Sequence, residues 1–158
     1  MSAESAALPL PSNWAARLRH LAGELRDREA FRFVGASGGS SLTFGSWWSD
    51  AGRVAHGLAA AGVGRGDRVA VMAGGSETWP LIQIATSLLG AVVVPVNVRY
   101  RADELRHVVR AAQPRVVVAG GRCLDRGLLE ALDHEHVAAE VFADSAGAPA
   151  APSRVRPW

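Results

Sequence analysis

Three short runs of near-continuous apolar residues, Arg68–Met72, Ala91–Val96 and Arg115–Ala119, are separated by segments of helix length, and this alternation constrains the chain more than any single motif. A strand that is apolar at every position has no face to give to solvent. It must be covered on both sides, as strands of a parallel sheet are by their crossover helices. The intervening segments fit that role. Glu77–Leu89 is long and apolar, with Pro80 in its first turn where a missing N–H is harmless. Ala102–Ala112 is the next helix-length segment, and Cys123–Leu132 followed by Val137–Phe142 extends the alternation once more. A chain of 158 residues is enough for one such unit, burying on the order of 70% of its unfolded surface.

Ahead of the alternation, Ser12 is placed to cap a helix running to Asp27, with Trp14, Leu18, Leu21 and Leu25 at three-to-four spacing on one face. Phe31-Arg32-Phe33-Val34 and Leu42-Thr43-Phe44, joined through Ser37-Gly38-Gly39-Ser40, predict a β-hairpin. Trp47, Ala51, Val54, Ala55 and Leu58 predict a second amphipathic helix over Ser46–Ala61, stopped by Gly62. The fold class expected is therefore α/β: a parallel sheet with helices on both faces, preceded by an N-terminal helix and hairpin. Residues 1–142 form the folded subdomain in this reading, and 143–158, rich in Ala and Pro without periodicity, form a flexible tail.

Composition enters where chemistry is concerned. All 17 basic residues are arginine, so a reaction requiring lysine has no lysine here to use. These arginines are interspersed with 15 acidic residues, leaving a formal charge of +2. The high pI thus reflects the arginine pKa rather than a basic surface, and no nucleic-acid partner is expected. A single cysteine, Cys123, excludes an internal disulfide framework and a cysteine-based zinc site. No apolar run reaches the roughly 18–20 residues of a membrane span, and no basic-then-apolar leader opens the chain, so a soluble, cytoplasmic protein is expected.

Several short motifs have ordinary structural readings. Gly62-Val63-Gly64-Arg65-Gly66 ends a helix and opens a strand, the reverse of a dinucleotide-binding loop, and reads as a cap plus turn; its Arg65-Gly66-Asp67 is a solvated turn. Gly74-Gly75-Ser76 and Gly120-Gly121-Arg122 do follow strands and precede helices, where unpaired N–H groups attract anions, but neither has the spacing of a phosphate loop. Cys123 beside Arg122 could be an activated thiol, yet with no base nearby in sequence it reads as a structural one. His134-Glu135-His136 lacks a third metal ligand, so no metal site is expected. Trp47, Trp48 and Trp79 could stack on a ring substrate, but core packing is the commoner use, with Trp48 the partly exposed member.

The ordered string carries more than its parts. Leu42-Thr43-Phe44, Leu58-Ala59-Ala60-Ala61-Gly62-Val63, Gly66-Asp67-Arg68-Val69-Ala70-Val71, Leu88-Leu89-Gly90-Ala91-Val92-Val93-Val94-Pro95-Val96-Asn97 and Arg101-Ala102-Asp103-Glu104-Leu105 closely resemble, in this order, the adenylate-forming superfamily of acyl-CoA ligases, luciferases and nonribosomal adenylation domains. Asn97-Val98-Arg99-Tyr100 leans toward its acyl-CoA ligase branch. The resemblance implies activation of a carboxylate with ATP and Mg²⁺, then acyl transfer to coenzyme A. It also implies that the phosphate loop, the aromatic-Thr-Glu segment, the ribose-binding aspartate and the catalytic lysine all fall beyond the position of Trp158. On this reading the chain is the opening subdomain of a truncated or split ligase, with no catalytic residue of its own and no cofactor bound by it alone. Its partner is a chain carrying the remaining subdomains, or another copy of itself; a non-catalytic interaction module derived from such an enzyme is the alternative, and a small independent nucleotide-binding domain a third. One residue carries over: Arg99 matches the arginine that in such ligases lies near the nucleotide phosphate of coenzyme A, against the plain reading of a surface loop arginine. Gly75 departs from the family, which commonly has asparagine ahead of the stretch Ser76-Glu77-Thr78.

Overall fold

The computed structural model describes residues 13–35, 38–120, 140–143 and 155–157. The first helix, α1 (Trp14–Glu24), is capped not by Ser12 but by Asn13, whose Oδ1 accepts from the Ala16 N–H at 2.8 Å. It buries Ala15, Leu18 and Ala22, while Trp14 stands 68% exposed. The apolar face therefore starts one residue later than the large side chains suggest, because two alanines serve as close-packing contacts. Strands β1 (Glu29–Gly35) and β2 (Gly38–Thr43) form the expected antiparallel hairpin, with Phe33 opposite Ser40 and Phe31 opposite Leu42. Gly38 and Gly39 lie within β2 rather than in the turn, and Phe44 opens the next helix instead of ending the strand.

Helix α2 (Phe44–Ala60) starts with a reciprocal cap: the Thr43 Oγ1 accepts from the Ser46 N–H, and the Ser46 Oγ accepts from the Thr43 N–H. It ends in a Schellman turn. Gly62, at φ +85°, donates its N–H to Ala59, and Val63 donates to Leu58. Leu58 and Val63 are both buried in one cluster, so the turn that stops the helix also closes over its last apolar side chain.

The parallel sheet runs β4-β3-β5-β6-β7, formed by β3 (Arg68–Met72), β4 (Val92–Pro95), β5 (Val116–Ala119), β6 (Glu140–Ala143) and β7 (Val155–Pro157). Helix α3 (Thr78–Leu89) crosses from β3 outward to β4; α4 (Ala102–Ala112) returns from β4 past β3 to β5. Crossovers of one hand running in opposite directions lie on opposite faces, so α3 and α4 sandwich the sheet. Residue alternation agrees. Val69, Val71, Val116 and Val118 pack with Leu58, Ile82 and Ala85 of α2 and α3, and the intervening Ala70, Met72, Val117 and Ala119 are buried on the other side.

Two expectations need correction. The run 91–96 is not a buried strand: β4 is the sheet's outer strand, with Val92 half exposed, because its length of apolar sequence says nothing about which strands flank it. The residues from 143 onward do not all lie outside regular structure, since Ala143 closes β6 and Val155–Pro157 pairs with it as β7. Three residues are too few to show a period in sequence, and Pro157 is tolerated because β7 is an edge. The helix expected at Cys123–Leu132, along with Gly121-Arg122, Cys123 and His134-Glu135-His136, lies outside the described residues.

Candidate functional site at the carboxyl end of the sheet

In an open parallel sheet the loops leaving the carboxyl ends of the strands are where ligands are met, above all where successive crossovers diverge. That divergence falls between β3 and β5, whose loops begin at Ala73 and Gly120 and are tied by the Gly120 N–H to Met72 O hydrogen bond at 2.9 Å. The Gly74-Gly75-Ser76 loop has no positive φ, and a Cβ on either glycine would meet no atom within 4 Å. Neither glycine is required by the turn, so the departure at Gly75 costs the local backbone nothing. The Ser76 hydroxyl is buried without a hydrogen-bond partner, a feature that no sequence pattern signalled.

The β4–α4 loop is shaped by Asn97. Its Oδ1 accepts from the Arg99 N–H at 3.0 Å and its carbonyl from the Tyr100 N–H at 3.1 Å, turning the chain so that Arg99 is exposed. The Arg99 side chain is in no ion pair among the described residues, so a guanidinium with five donors faces solvent at the ligand-bearing end of the sheet. A phosphate monoester or diphosphate fits such a group. The α4 N-terminus follows at once, with the Glu104 carboxylate accepting from the Arg101 N–H at 2.8 Å. Beside it Tyr100, Asp103, Glu104, His107 and Val108 line an open hollow of about 370 Å³. Its two carboxylates repel an anion, and Arg99 and Arg101 are the exposed cations of this loop.

Trp47, Trp48 and Trp79 pack within the fold. Trp47 donates from Nε1 to the Pro80 carbonyl and Trp79 from Nε1 to the Ala73 carbonyl, both at 2.8 Å. Trp47 and Trp48 are alike half-buried and pack on Ala15, Leu18, Ala51 and Ile84. Gly64 and Asp67 bond each other across the glycine-rich turn, and Gly66 donates to Gly90, as befits a turn rather than a ligand loop. Among the described residues no three His, Cys, Asp or Glu side chains converge in a way that could hold a metal. Among them, too, no helix is long and apolar enough to cross a membrane.

Comparison with known proteins gives this arrangement its class. Residues 18–155 match the family described as AMP-binding enzyme. The chain belongs to that family and corresponds to the N-terminal portion of its acyl-CoA ligases. It is 38% identical over 92 residues to the mitochondrial medium-chain acyl-CoA ligase of Danio rerio, covering 58% of this chain and 15% of that protein. The fatty acid–acyl-carrier-protein ligase ScoC of Streptomyces coeruleorubidus is 37% identical over 79 residues, 50% of this chain and 15% of that one. Coronafacic acid ligase of Pectobacterium brasiliense shares the fold, with a TM-score of 0.78 at 16% identity over 89% of this chain and 27% of that structure. The chain thus spans a small part of the length of the proteins it matches.

Proposed function

We propose that this chain is the opening subdomain of an acyl-CoA synthetase, which in its complete form joins a carboxylate to ATP, releases pyrophosphate and transfers the acyl group to coenzyme A. The observation that supports this most is the family match over residues 18–155, carried by a parallel sheet whose carboxyl end presents a free Arg99. ATP and Mg²⁺ supply the activation chemistry in the complete enzyme; this chain's own part is to build the sheet, exclude water from one side of the ligand crevice and hold Arg99 toward a phosphate of coenzyme A. Without lysine, the chain has no residue of the type that the family uses to stabilise the adenylate's formation, so it is catalytically incomplete alone. The partner is the polypeptide carrying the remaining ligase subdomains, and the compartment proposed is the cytoplasm.

ATP–pyrophosphate exchange across a panel of carboxylates tests the proposal, run on this chain alone and again with a polypeptide supplying the remaining subdomains. Exchange only in the combination is the expected result. Exchange by this chain alone overturns its incompleteness, and none in either case favours a non-catalytic interaction module. The exposed apolar edge at β4 is the observation that keeps this second reading in view.

A further inference from the structure

We draw no further inference here: the strongest candidate, the Gly74-Gly75-Ser76 loop ahead of α3 with its unpartnered Ser76 hydroxyl, is a helix N-terminus whose serine is only partly buried as a residue, and nothing else in the structure points to a ligand there.

Discussion

Trp47 joins three elements, and the structure says how much each contact should be worth. From α2, its indole N–H donates to the Pro80 carbonyl of α3 at 2.8 Å, and its ring meets Phe31 of the hairpin edge-on, centroids 4.8 Å apart at 81°. Pro80 lies one turn before Ile84, so helical geometry already gives its carbonyl an intrahelical donor. Removing the indole therefore leaves no orphaned acceptor, and Trp47→Phe should lose only the net hydrogen bond and some area, about 1–2 kcal/mol. For a chain of this size that is a fall in Tm of about 2–8 °C. The edge-on pair adds roughly 0.5–1.5 kcal/mol beyond area. A double-mutant cycle with Phe31→Leu and Trp47→Leu, followed by urea unfolding with far-UV circular dichroism as the probe, isolates that coupling. Additive single effects, with coupling below about 0.3 kcal/mol, would refute the claim that this pair anchors the hairpin to the helical layer.

Other perturbations follow from the same contacts. Leu58→Ala, at a fully buried position in the main cluster, should cost about 2–5 kcal/mol in chemical denaturation, while Leu88→Ala, at an exposed position of α3, should stay within about 0.5–1 kcal/mol for this chain alone. Thr43→Ala removes the reciprocal cap of α2 and should lower stability by about 0.5–2 kcal/mol, with Thr43→Ser recovering most of it. Gly90→Ala places a Cβ at φ +66° and should cost about 1 kcal/mol by the same assay. In the complete enzyme, Arg99→Ala should raise the KM for coenzyme A about tenfold while leaving ATP–pyrophosphate exchange unchanged; an unchanged KM would return Arg99 to the status of a surface loop residue.

The elements legible in sequence were those whose signals are local. Gly62 marks the end of α2 because only a residue free to adopt positive φ closes that turn, and Pro80 marks the first turn of α3 because nowhere else in a helix is its lost donor free. The residue pattern is silent where small residues carry the packing. Ala15 and Ala22 outrank Trp14 on α1, since burial there follows the space left by α2 and α3 and not side-chain size. For the candidate site the order of motifs points to the family, whereas the unpaired Ser76 hydroxyl and the openness of β4 depend on what surrounds them in space and leave no trace in the residue pattern.

The exposure of β4 runs against its composition. A continuous apolar strand is the pattern of a strand covered on both faces and paired on both sides, and Val69, Val71, Val116 and Val118 of the two inner strands are buried as that pattern requires. The residues from 91 to 96 carry the same pattern, yet Val92 is half exposed and, among the described residues, no strand meets the outward groups of Val93 and Pro95. A surface valine by itself means little, but a whole run written in the composition of an inner strand and standing at an edge is inconsistent with the chain's own local rules. Such conflicts are resolved either by a functional demand for the exposed edge or by a covering element. Both lead to the same contrast: a change at Val92 that scarcely alters this chain alone should become strongly destabilising once the edge is covered, because only then is that side chain removed from water.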